Sequence, residues 1–205
     1  MALDGTYTGL QASVADWLHR DDLGTVIPDF VALAESRIAR DLRLRKQIAE
    51  TTLTTVAATQ SVALPTDFLE AENLSIEQAG IDINIPYVNI EHINVKYPNG
   101  GGNARPAVYT FEGDNILLGP TPDAAYSLHL YYYQRWTALS TTPTNWLLTY
   151  HPNVYLFGSL AEAADYAESE MVAKWEQKYQ MAVKQLQDAD DASMFSGSAL
   201  RVRTV

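Results

Sequence analysis

The chain of 205 residues has no cysteine, which excludes disulfides and thiolate metal sites. That absence fits folding and assembly in a reducing cytoplasm. The opening residues Met1-Ala2-Leu3-Asp4-Gly5-Thr6 hold no basic patch followed by an apolar run, so no signal peptide is expected. No stretch approaches the roughly 18 uninterrupted apolar residues of a membrane span, so no membrane partner is expected either. Cations are scarce: 14 Lys and Arg face 25 Asp and Glu, for a formal net charge of −11. This balance argues against a nucleic-acid-binding surface over the whole protein and favours solubility.

Catalytic patterns are missing as well. Gly100-Gly101-Gly102 lacks the Lys-Ser/Thr ending and the strand-loop-helix setting of a phosphate-binding loop. Gly197-Ser198 is not part of a Gly-x-Ser-x-Gly elbow. His19, His92, His129 and His151 are scattered, none at the i, i+4 spacing of a helical metal pair. Glu162, Asp165, Glu168 and Glu170 accompany an apolar helical stripe and read as its solvated face rather than an acid/base pair. Asp188, Asp190 and Asp191 lack the glycine and terminal glutamate of a calcium loop. No enzymatic activity and no cofactor are expected.

What the chain does hold is an apolar content of 47%, enough to bury a core without staples. Its charge is uneven: Arg20, Arg37, Arg40, Arg43, Arg45 and Lys46 cluster early, while Arg201 and Arg203 lie near the end. Thr8 and Gln11 form a capping-box pattern ahead of Leu10, Val14, Trp17 and Leu18 on one helical face. His19-Arg20 and Gly24 close that helix. A second helix is expected from Pro28 to about Gln47, with Phe30, Ala34, Ile38 and Leu42 as its core stripe. Arg37 and Arg45 each lie four residues from Asp41, a spacing for pairing within the helix.

From Thr51 the residues become β-branched and strands are expected. Leu64 to Phe68 reads as a turn into a strand over Glu70 to Ile76. Val88 to Tyr97 suits either a short helix or a strand, and Pro98 to Asn103 reads as a flexible loop tip. Ala107–Glu112, Asn115–Leu118 and the alternating Tyr126–Tyr133 predict an antiparallel meander. Helix returns after Pro152, and a last helix from about Ser169 carries Val172, Trp175, Tyr179, Ala182, Val183 and Leu186. Beyond Asp188 the pattern dissolves into Asp, Ala, Ser and Gly, the composition of a disordered tail.

The expected fold is therefore α+β: a bundle of N- and C-terminal helices with an inserted antiparallel β domain. Helices fill residues 1–50, the β domain 51–148, the returning helices 149–188 and a flexible tail 189–205. Twelve tyrosines and four tryptophans add residue types that dominate protein–protein contacts. Either Tyr126 to Trp136 packs on both faces of a buried strand, or Tyr131, Tyr133 and Trp136 are left for a tail partner or neighbouring subunit.

Several stretches together resemble the head-to-tail adaptor (tail tubular or head completion) proteins of short-tailed bacteriophages. They are Tyr7 to Leu18, Ile27 to Glu35 continuing through Arg37 to Arg43, Leu64 to Glu70, Leu117 to Pro122, Asn145 to Leu148 and Tyr155 to Ala163. Their ordered combination carries the resemblance over nearly the whole chain. It implies a structural virion protein at the neck, assembled in the host cytoplasm. It also implies a homo-oligomeric ring, commonly a dodecamer, that joins the portal protein to the tail nozzle protein, with tail fibres as further partners. DNA would pass transiently and without specificity, and an acidic lumen would disfavour phosphate contacts. The resemblance further implies a C-terminal segment docking on the portal, here Met194, Phe195, Leu200, Arg201, Val202 and Arg203. Arg37, Arg40 and Arg43 are expected at a subunit or portal interface, where planar guanidinium forks pair with carboxylates, with plain solvent exposure as the alternative. The alternative function is a tail-associated carbohydrate- or receptor-binding module. A third, a virion wall hydrolase, lacks a convincing acid/base pair.

Overall fold

A computed structural model describes residues 3–20 and 22–195, apart from the side chains of residues 194 and 195. The chain divides into two compact units: residues 1–45 with 136–205, and residues 46–135. Helices build the first and antiparallel sheets the second, so the fold is α+β. The second crossing falls after Arg135 rather than near residue 148. Leu139, Leu147 and Leu148 are fully buried in the helical core, which draws the residues after β7 into that unit.

The helical unit contains α1 (Tyr7–Leu18), α2 (Ile27–Asp41), α4 (Trp146–Tyr150), α5 (Pro152–Tyr166) and α6 (Val172–Phe195). Its core joins Leu10 and Val14 of α1 and Phe30 and Ile38 of α2 to Tyr155 and Leu160 of α5 and Tyr179 and Val183 of α6. The cap of α1 is Thr6, not Thr8: Thr6 Oγ1 accepts Gly9 N–H at 3.1 Å, and Asp4 Oδ1 accepts Thr6 N–H at 2.9 Å. Helix α2 stops at Asp41 instead of continuing to Gln47. Leu42 turns extended, at φ −116° and ψ 129°, and Leu42 and Leu44 are both buried. That spacing of two puts both on one side only in an extended chain.

Helix α6 runs seven residues beyond Asp188, through the stretch expected to start a flexible tail. Asp190 anchors it there by accepting Arg45 N–H at 3.0 Å and Arg45 Nε–H at 3.2 Å.

The second unit contains seven strands and a short helix, α3 (Ile90–Lys96). Strands β1 (Ile48–Thr54), β7 (Ser127–Gln134), β3 (Phe68–Gln78) and β4 (Ile81–Asn84) form one sheet in that order. Strands β2 (Ser61–Ala63), β6 (Asn115–Gly119) and β5 (Val108–Glu112) form the other. The expected meander is thus corrected: β5 and β6 pair as a hairpin, but β7 leaves them to lie between β1 and β3. Flanked there by β1 and β3, Leu128, Leu130 and Tyr132 complete a core with Leu74, Ile76, Ile116 and Leu118. Tyr132 Oη–H donates to Asp67 at 3.0 Å, and burial together with that bond pushes its pKa up to about 12.

The open segment 88–97 resolves as helix, capped by Asn89 Oδ1 accepting His92 N–H at 2.9 Å. The loop after it is tied down rather than loose. Gly100 is buried, and Thr121 donates both its N–H and its hydroxyl to Gly100 O, at 2.9 and 3.1 Å.

Candidate interaction surfaces

Basic residues on α2 follow from a sequence that alternates the core stripe with charge, and their fates differ. Arg37 lies between helices, its side chain only 18% exposed. Its Nη1 donates to Glu162 of α5 at 2.9 Å and its Nη2 to both oxygens of Glu176 of α6, while its guanidinium sits 4.5 Å over the Tyr179 ring. Burial disfavours its charge, yet the bonds it donates to Glu176 and Glu162 prevail and hold its pKa above the ordinary value. Glu162, expected on a solvated face, is drawn inward by this pair, whereas Asp165, Glu168 and Glu170 are exposed.

The expected pairing of Arg37 and Arg45 with Asp41 is replaced. Asp41 accepts the Tyr179 hydroxyl at 3.1 Å and has Arg40 Nε 3.6 Å away, while Arg45 turns to Asp190. Helical spacing placed Arg37 and Asp41 one turn apart, but two carboxylates on neighbouring helices outbid one on its own. Arg43 caps the end of α2 through bonds to the carbonyls of Ala39 and Leu42, at 2.7 and 2.8 Å. Arg40 is the exposed member of the set, with 69% of its side chain in solvent.

A second feature of this unit had no signal in local sequence. Trp17, Phe157 and Trp175 pack as a trio, and Lys178 Nζ lies 4.9 to 5.6 Å from all three rings. Trp17 is 42% exposed, at the edge of a groove of about 730 Å³ lined also by Arg20, Met171 and Lys174. Exposed tryptophan beside Arg and Met is the composition of a contact surface. Tetrads of this kind join three helices, so spacing within one helix does not reveal them.

In the β unit the outer face of the four-stranded sheet is acidic. Register places Glu50, His129, Tyr131, Glu77 and Asp82 on that face. His129 lies 3.6 Å from Glu50, 3.9 Å from Glu77 and 3.7 Å from Asp82. None of β1, β3, β4 or β7 contains Lys or Arg, and the whole unit carries ten carboxylates against four cations.

The three aromatics expected as a partner contact are separated. Tyr131 and Tyr133 share the acidic face, with Tyr131 37% exposed. Trp136 belongs to the helical unit, where it stacks on Trp146 at 6.1 Å with its indole N–H buried and unbonded. Met194 and Phe195 end α6, while Leu200, Arg201, Val202 and Arg203 lie outside the described residues. Among the described residues no group of three or more His, Asp or Glu is placed to hold a metal ion. No described helix is long and apolar enough to cross a membrane.

A family model for the SU10 adaptor protein matches residues 5–203. The chain belongs to the SU10 adaptor protein family. No curated protein matches the chain. Membership makes it a bacteriophage head-to-tail adaptor and a structural virion protein, from a family not known for catalysis. The SU10 adaptor match spans the helical unit, the inserted sheets and α6 alike.

Proposed function

We propose that this SU10-family adaptor assembles as a ring at the virion neck, joining the portal to the tail nozzle and extending the DNA channel. The family match over residues 5–203 carries the reading. Assembly takes place in the host cytoplasm, and tail fibres are further partners of the finished neck. The helical unit serves as the scaffold, since Arg37 locks three of its helices together. Exposed Arg40 and the Trp17 groove supply contact surface to the portal or to the next copy.

The acidic sheet face supports the channel role. Duplex DNA adheres through phosphate contacts to Lys and Arg, and the four strands of that sheet offer none. A wall of this kind lets the genome slide.

Negative-stain imaging of the full chain mixed with the portal from the same genome tests the proposal. Ring density added below the portal is the expected result. No binding to an intact portal at micromolar concentration overturns it. A receptor-binding module is the second reading, favoured by the groove of about 510 Å³ beside Phe68, Phe111 and Arg135. Retention of the monomer on a glycan array would raise it to first place.

A further inference from the structure

The apolar face of α6 ends at Leu186, the last buried side chain among the described residues, yet the helix continues to Phe195. Its composition beyond Leu186 works against helix. Asp188, Asp190 and Asp191 place carboxylates at the negative end of the helix dipole, and no basic residue stands in the last turn. No buried apolar contact offsets them.

What holds these turns is polar. Gln187, Asp190 and Ser193 follow at intervals of three and so continue the side that Tyr179, Val183 and Leu186 turn to the core. Each is bonded to the chain that leaves α2. Gln187 Nε2 donates to Asp41 O at 2.8 Å. Asp190 accepts the backbone N–H and the Nε–H of Arg45, and Ser193 Oγ accepts from Arg45 Nη2. The Asp190 side chain is only 20% exposed in this contact. Arg45 is also the residue at which the chain leaves the helical unit. Met194, the first residue expected to dock on the portal, stands one turn beyond Asp190.

We propose that Arg45 and Asp190 are positioning residues for portal docking. Their contact keeps the last turns of α6 wound in the free protein, so the docking segment leaves from a fixed helix end. A segment whose base is ordered before it binds avoids that part of the entropic cost. This rests on the portal-joining reading above and adds to it a pair of residues outside the docking segment.

Two expectations of opposite sign make the test. By propensity and dipole alone, Asp190→Ala strengthens the end of α6, since it removes a carboxylate from the wrong pole and inserts the best helix former. With Asp190 as a latch, the same change unwinds that end. Hydrogen exchange on the full-length protein should therefore quicken at residues 190–195 in Asp190→Ala by about threefold or more. It should stay unchanged or slow in Asp188→Ala, where the side chain is exposed. Quickening in both variants, or in neither, overturns the latch.

Binding of the same preparations to the immobilised portal from the same genome should weaken by about threefold or more in Asp190→Ala. Arg45→Ala should weaken it in the same direction. The double variant should lose no more than Asp190→Ala alone, because both changes break one contact. Additive losses overturn the pairing. The urea midpoint should stay at the wild-type value, since neither change touches a buried side chain. A binding loss that only follows a lowered midpoint overturns the positioning role. Faster exchange with unchanged portal binding also overturns it and leaves the portal reading intact. No portal binding by the wild type overturns both.

Discussion

Glu176 holds Arg37 with both carboxylate oxygens, at 2.8 and 2.7 Å from Nη2. Through that pair, and through Glu162 at 2.9 Å, a residue of α2 is joined to α5 and α6 across more than a hundred positions of sequence. The guanidinium fork suits this place because it serves two carboxylates and one aromatic face at once. Removing it leaves two half-buried carboxylates without their cation. Arg37→Ala should lose about 2–4 kcal/mol of unfolding free energy. Arg37→Lys should recover only part of that, since an ammonium cannot fork. Urea denaturation at constant m-value measures both.

Acid should weaken the same junction. Burial opposes the Glu176 charge, but the hydrogen bond from Arg37 outweighs it and holds the carboxyl below the ordinary glutamate value of 4.5. A depressed folded pKa means stability present above 4.5 and lost as pH falls through the folded value. Stability measured from about pH 7 to about pH 3 should therefore fall less steeply in Glu176→Gln than in the wild type.

Glu35 should behave in the opposite sense. It accepts Leu139 N–H at 2.8 Å, and burial raises its pKa above 4.5 despite that bond. Its favourable contribution is present below the ordinary value and lost as pH rises through the raised one. Glu35→Gln keeps an oxygen acceptor without a charge. It should be more stable than wild type at neutral pH, by up to about 1 kcal/mol, with the difference closing below pH 4.5.

Gly158 lies where α5 packs closely on Ala34 of α2 and Tyr179 of α6. A Cβ there would stand 3.2 Å from Ala34 Cβ and 3.3 Å from the Tyr179 ring. Alanine favours helix by about 1 kcal/mol over glycine, which offsets part of the crowding. Gly158→Ala should be near neutral, while Gly158→Leu should cost about 1–3 kcal/mol or more. Thermal melts of the two variants check the contrast.

Asn145 performs two tasks with one side chain. Its Oδ1 accepts Leu148 N–H at 2.8 Å as the cap of α4, and its Nδ2 donates to the buried Tyr155 hydroxyl at 2.8 Å. Asn145→Ala removes both and should destabilise by about 2 kcal/mol. Tyr155→Phe, which spares the cap, should cost less.

The parts legible in sequence were those with a local cause. Phe30, Ala34 and Ile38 repeat at helical spacing and are buried on α2, and Leu128, Leu130 and Tyr132 alternate and are buried on β7. Gly113-Asp114 turns the β5–β6 hairpin where its residue types predict. The ordered motifs also pointed to the adaptor family. Local patterns of this kind fail where a competing partner is distant. Thr8 offered a cap, but Tyr7 N–H donates to Pro143 O at 2.7 Å and the helix starts two residues earlier, at the Thr6 cap.

Sequence by itself determined the type of most elements, the α+β order, the absence of thiol chemistry and the excess of carboxylates, because each depends on residues near one another or on composition alone. Tertiary structure decided which arginine is spent inside the chain and which reaches solvent, since Glu162 and Glu176 meet Arg37 only when three helices pack. It decided that β7 joins β1 and β3 instead of β6, because strand pairing is chosen by the core that results and not by adjacency. It also decided that β4 ends its sheet with two isoleucines uncovered, an edge that no reading of Ile81-Asp82-Ile83-Asn84 reveals until the strands beside it are in place.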